Sequence, residues 1–171
     1  MGMDDRTGTT LHTGLLISTT AGLAWLSGLP MLFPSLGPSA FVLALFQDSE
    51  ATAPRRVIGG HAIGVAAGLL AYHLLGVGIS MTAAADPGSI EGLRLGASGV
   101  LATTVTAGGM LATDTRHPPA CATTLIVSLG LLSTALEGAL IVLAVAILVV
   151  AHRLLLATER LGARYGESLR S

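Results

Sequence analysis

The chain has 171 residues, of which 51% are hydrophobic and only 11% charged, with a net charge of −1 and a mean hydropathy of +0.74. Soluble domains run near ~25% charged, so the composition points to a membrane protein and leaves no room for a soluble catalytic domain. The near-zero charge gives no reason to expect nucleic acid as a partner, and the single Cys121 excludes an intrachain disulfide.

Six apolar segments follow in chain order. The first, 11–29, is closed by Pro30 and reads as a membrane helix, not a cleaved leader, because Asp4 and Asp5 precede it and no small-residue cleavage site follows. The second, 39–46, with Pro38 as an alternative start, is too short to span, since a helix rises ~1.5 Å per residue against a ~30 Å hydrocarbon core. A polar linker, 47–56, leads to the third segment, 57–81. Its Gly60, Gly64 and Gly68 repeat every four residues, the spacing that lets membrane helices approach closely. A polar loop, 85–92, precedes the fourth segment, 93–112. The fifth, 119–136, is nearly long enough to span, and the sixth, 138–157, runs into an Arg-rich tail, 158–171.

Two breaks organise this pattern. The first is Phe33-Pro34-Ser35-Leu36-Gly37-Pro38-Ser39, and the second is Arg116-His117-Pro118-Pro119-Ala120. Asp114 and Arg116 are the only acidic or basic charges between Arg94 and Glu137. Broken backbone and ionisable groups are costly in lipid unless buried in protein or lining a water-filled path. In each half a long helix leads into a break, then a helix, then another long helix. Three crossings per half make the halves, 11–80 and 93–157, inverted repeats, a recurring transporter design with substrate bound near the midplane. The expected fold is an all-α, polytopic single membrane domain of about six transmembrane segments with interrupted helices.

A helix that starts inside a membrane exposes free N–H groups and the positive end of its dipole, both of which suit an anion. Ser35 and Ser39 offer hydroxyls, Gly37 allows close approach, and Pro38, Pro118 and Pro119 fit a first helical turn. His117 is the leading candidate, as a hydrogen-bond donor or as a proton carrier with an ordinary pKa of ~6.5. His61 follows Gly59-Gly60 and is a candidate of either functional or structural kind. Arg116 either attracts an anion or pairs with Asp114. His12, His73 and His152 fall near helix ends, where the headgroup region is expected. Thr103, Thr104, Thr106, Gly108 and Gly109 offer a polar path, although hydroxyls also bond back to their own helix. No nucleophile–base pair, phosphate loop or zinc spacing occurs, and no cofactor or metal is expected.

The residues of the breaks also resemble a known family. His117-Pro118-Pro119-Ala120, followed by an apolar helix, is similar to the signature of the HPP family of integral membrane proteins. Phe33-Pro34-Ser35-Leu36-Gly37-Pro38-Ser39-Ala40 resembles its Pro-x-Leu-Gly-x-Ser block, and Pro54-Arg55-Arg56-Val57-Ile58-Gly59-Gly60-His61 its Pro-x-x-Val-x-Gly-Gly-His block. The resemblance covers roughly residues 30–150. It departs at Cys121, where the family usually has glycine. Plant and cyanobacterial members are known as nitrite transporters, so the resemblance implies passage of nitrite. The reading is a non-enzymatic transporter or channel for a small inorganic anion, with nitrite favoured over nitrate, formate or bicarbonate. A homo-oligomer in the cell membrane is expected. The basic residues Arg55, Arg56, Arg116, Arg153, Arg160, Arg164 and Arg170 place both termini in the cytoplasm. The alternatives are a structural membrane-assembly protein and an intramembrane enzyme using His117.

Overall fold

The computed structural model describes residues 3–47, 49–83 and 86–168. Arg170 lies outside them, and of Arg164 only the backbone is described. Six α-helices account for the described elements apart from one 3-10 turn and one π turn. They are α1 (Met3–Ser27), α2 (Leu36–Leu45), α3 (Pro54–Ala71), α4 (Ile90–Ala112), α5 (Ala120–Ser128) and α6 (Ala135–Ser168). The order is long, short, long in each half. Three helical stretches are long and apolar enough to cross a membrane: Pro54–Gly76, Ile90–Ala112 and Ala135–Gly162. The protein is a polytopic helical membrane protein.

The helix ends follow local chemistry. Gly28, at φ +69, ends α1 ahead of Pro30. Pro54 opens α3 at its first turn, three residues before the expected start, because proline lacks only an N–H that would be unpaired there. The π turn Tyr72–Gly76 continues α3, and Arg94 Nε donates to the Leu75 carbonyl at 2.9 Å. That bond occupies the one basic residue beside the otherwise Arg-free loop. Thr134 and Glu137 form a capping box at the start of α6: the Thr134 hydroxyl accepts from the Glu137 amide at 3.2 Å, and the Glu137 carboxylate accepts from the Thr134 amide at 2.9 Å. The fifth segment therefore ends at Ser128 with a turn at Gly130, φ +74, rather than running to residue 136. The sixth segment begins earlier than expected and continues unbroken through residue 168, so the tail beyond residue 157 extends α6.

α3 is the central strut. Its glycine face receives α5: a methyl group at Gly60 would lie 3.1 Å from His117 Cβ, one at Gly64 2.9 Å from the Ala120 carbonyl oxygen, and one at Gly68 3.1 Å from the Thr124 carbonyl oxygen. The glycine spacing thus serves packing inside one chain. The same contacts act as a ruler. Asp114 meets Arg55 at the start of α3, His117 meets Gly60, Thr124 meets Gly64, Val127 meets Gly68, and Leu129 bonds Met81 beyond its end. The second break and α5 together travel the full length of α3, the first part as non-helical chain with turns and the rest as a nine-residue helix. α6 also packs on α3, and α1 and α2 pack on each other and on α6; Leu16, Leu36, Leu43, Val57, Ile141 and Leu148 are fully buried in the cluster these helices share.

Candidate functional site

α2 and α5 are too short to cross alone, at about 15 Å for ten residues. Their amino ends meet inside the protein. One shift in register carries Leu36, the first residue of α2, onto Ala120, the first of α5. The same shift carries Pro34 onto Pro118 and Ser39 onto Thr123. Ser35 pairs with Thr123, whereas Ser39, one turn later, pairs with His117, which precedes Thr123 in the chain. The two amino ends therefore run past one another in opposite directions.

Five polar side chains fill the crossing point: Ser35, Ser39, His61, His117 and Thr123, each no more than 1% exposed. Ser39 Oγ lies 3.0 Å from His61 Nε2 and 3.3 Å from His117 Nε2, and it donates to the Ser35 carbonyl at 2.9 Å. His61 Nδ1 lies 2.7 Å from Thr123 Oγ1, which lies 2.6 Å from Ser35 Oγ. The two imidazole rings stand 5.2 Å apart. Buried polar groups in an apolar interior must find partners among themselves, and these do so with one exception: Nδ1 of His117 makes no hydrogen bond of standard geometry. A second hydroxyl pair extends the polar line, Thr106 Oγ1 to Thr124 Oγ1 at 2.9 Å. Thr104, one of the suggested path residues, instead bonds back to the Val100 carbonyl of its own helix.

Of the sequence candidates, Ser35, Ser39, His61 and His117 come together here. Ala120 is buried against Gly60 as packing. Gly37 faces open space and Pro38 is exposed. Pro119 is buried and Pro118 exposed. Arg116 points outward and donates to Asp114 at 2.6 Å. The supply of free amides at α5 is smaller than expected, because Ala120, Cys121 and Ala122 donate to the carbonyls of His117, Pro118 and Pro119. The donors at the crossing are hydroxyls and imidazoles. Thr123 escaped the sequence reading; its equivalence to Ser39 in register was the available signal.

Beside His117, the surface carries an ionic cluster. Asp114 accepts from Arg55 at 3.1 Å, Arg56 at 3.1 Å and Arg116 at 2.6 Å, and Arg56 also reaches Glu50 at 2.6 Å. The Arg116 guanidinium, seconded by Arg56, holds the Asp114 carboxyl below the usual carboxylate range. This cluster ties the start of α3 to the linker and to the α4–α5 turn. Next to it, a cavity of about 580 Å³ is walled by linker residues such as Gln47, Glu50 and Thr52 and by His152, Arg153 and Arg160 of α6.

His12 and His152 depart from expectation. They are buried at 3% and 2% exposure and bond to each other, Nε2 to Nδ1, at 3.0 Å. The pair brings the early part of α1 beside the late part of α6. His73 is exposed and bonds the Leu69 carbonyl. Among the described residues, no group of three or more His, Cys, Asp or Glu is placed to hold a metal ion.

Comparison with curated proteins and with solved structures returned no match in either case. A family model described as "HPP, transmembrane region" matches residues 4–164, nearly the whole chain, so the protein belongs to the HPP family of transmembrane proteins.

Proposed function

We propose that this protein carries a small inorganic anion across the membrane, nitrite first among them, by exposing the buried cluster alternately to the two sides. The reading rests on one observation: five mutually bonded polar side chains lie sealed where two interrupted helices cross. A purely structural membrane protein gains little from such a cluster, since an apolar core of the same volume satisfies the packing without burying polar groups. Family membership supports transport in general, and the resemblance of the breaks supports nitrite. The matched register of the two halves supports an inverted repeat, in which the halves exchange roles as the site opens to one side and then the other. The contact between His12 and His152 supports both termini on one side, and the basic residues make that side cytoplasmic. The exposed apolar face of α4, including Leu93, Val100 and Leu111, is the surface on which a homo-oligomer would form.

Purified protein in lipid vesicles tests the reading directly. Uptake of nitrite, nitrate, formate and bicarbonate is compared with uptake by protein-free vesicles, which report the passive leak of each conjugate acid. Nitrite uptake above that leak, and faster than the other three, is the expected result. Uptake no faster than the leak for all four ions rejects transport of this class.

A further inference from the structure

The protons of the buried cluster can be counted. A carbonyl only accepts, so the single hydroxyl proton of Ser39 goes to Ser35 O at 2.9 Å. The Ser39 oxygen then offers only lone pairs to the two rings. With the Ser39 proton assigned to Ser35 O, both His61 Nε2, at 3.0 Å, and His117 Nε2, at 3.3 Å, carry the proton. A neutral His61 protonated on Nε2 has a bare Nδ1, which accepts from Thr123 at 2.7 Å. Having donated, Thr123 accepts from Ser35 at 2.6 Å. Every donor is now used. The imidazole nitrogen left over is Nδ1 of a neutral His117, which is 1% exposed and makes no hydrogen bond of standard geometry there.

An anion needs the opposite of a leftover lone pair. It would enter a site whose donors are all committed, and it would bring an uncompensated charge into an apolar interior. A proton on His117 Nδ1 reverses both conditions, adding one positive charge and one new N–H. Burial alone opposes a charge there, and the anion that enters with the proton offsets it. From α3 the only titratable group against the ring is His61. α2 and α5 present hydroxyls, and the linker presents the Ala51 backbone. The nearby charges of Glu50, Arg55, Arg56, Asp114 and Arg116 are engaged with one another at the surface.

We propose that His117 Nδ1 binds one proton for each anion taken up, so that the site moves anion and proton together as an electroneutral pair. This rests on the transport reading above. The proton arrives from the side to which the site is open, sits on Nδ1 while the anion is bound, and leaves with the anion on the other side.

The test uses the full chain in lipid vesicles with a pH-sensitive dye inside and sodium nitrite added outside, protein-free vesicles giving the background of permeating nitrous acid. The expected result is acidification of the lumen above background, in proportion to protein-dependent nitrite uptake, at a rate unchanged when potassium and valinomycin impose a membrane potential. Nitrite uptake that follows the imposed potential without extra acidification overturns the proposal and leaves transport standing. Protein-independent uptake alone removes both. His117→Gln then locates the coupling, because the glutamine amide can still donate toward Ser39 but offers no lone pair that titrates. A folded His117→Gln protein is expected to lose at least about tenfold in both nitrite uptake and acidification. Wild-type values of both in that variant overturn the assignment to His117.

Discussion

Asp114 and Arg116 stand within three residues of His117, yet the two regions follow opposite rules. The Asp114 cluster gathers three arginines and two carboxylates at the protein surface. The His117 cluster holds no carboxylate or guanidinium and is sealed. Solvent lowers the cost of the first, where the gain from each exposed pair is small. The second must satisfy itself, and it does so with short hydroxyls and two rings that can be donor or acceptor as needed. Charge attracts and holds the linker at the rim, while neutral, switchable groups occupy the centre. If this division is right, the two regions respond differently to volume, to hydrogen-bond loss and to pH.

The largest effect comes from closing the gap that lets the buried region form. Gly64 admits α5 so closely that a Cβ would meet the Ala120 carbonyl at 2.9 Å and the Thr124 hydroxyl at 2.8 Å. Gly64→Leu adds four carbons against backbone that cannot yield by a rotamer change. We expect a loss of about 3 kcal/mol, the upper range for overpacking, read as a lowered unfolding midpoint in detergent. The displaced α5 would also part His61 from Thr123 and abolish nitrite uptake. A midpoint and uptake equal to the parent's would show that the close approach does not hold the cluster together.

Ser39→Ala comes next. It leaves the N–H groups of His61 and His117 without their acceptor and the Ser35 carbonyl without its side-chain donor. An unmade buried hydrogen bond costs about 1–3 kcal/mol, so a stability loss of about 2 kcal/mol is expected. Anion affinity should fall by roughly fivefold, about 1 kcal/mol, because the two rings lose the oxygen that holds them in place. Thr123→Val should act similarly, and Thr123→Ser, which keeps the hydroxyl, should restore both readouts. If Ser39→Ala binds and transports as the parent does, the cluster is not where the anion sits.

The sequence pattern made the breaks legible because proline and short apolar runs are local signals. Six segments, the meeting of two broken helices, and three of the five cluster residues, Ser35, Ser39 and His117, follow from them, while His61 is marked by the Gly59-Gly60 pair before it. What was not legible depends on tertiary partners. The fifth apolar run, 119–136, is nearly long enough to span, and nothing local to it distinguishes a turn at Gly130; the Thr134–Glu137 capping box is the local mark of the next helix start. Thr123 is an ordinary polar residue on an apolar helix until α2 places Ser35 against it. His12 and His152 read as headgroup residues because their hydrogen bond joins opposite ends of the chain. The use of the first α5 amides in turn bonds is likewise invisible to composition, and it shifted the candidate donors from backbone to side chains.

The smallest effect belongs to the rim, and its signature is pH rather than magnitude. Asp114 has φ +53, in the left-handed region that Asp and Asn tolerate better than other non-glycine residues. Asp114→Asn therefore keeps the backbone and removes only the charge. Hydrogen bonding to Arg116 and then to Arg56 holds the Asp114 carboxyl below the usual carboxylate range. A carboxyl depressed on folding contributes stability that is fully present above its unfolded pKa, about 3.9, and is lost as pH falls through the depressed folded value. The parent should unfold at a slightly higher temperature than Asp114→Asn at pH 7, and the gap should stay constant down to about pH 5. It should close only at more acidic pH, and it should shrink in high salt because the cluster is exposed. Nitrite uptake near neutral pH should change far less than in Ser39→Ala. A gap that closes near neutral pH would tie the rim to an imidazole and remove the separation between the two regions. An uptake loss matching that of Ser39→Ala would instead make the ionic cluster part of the anion path.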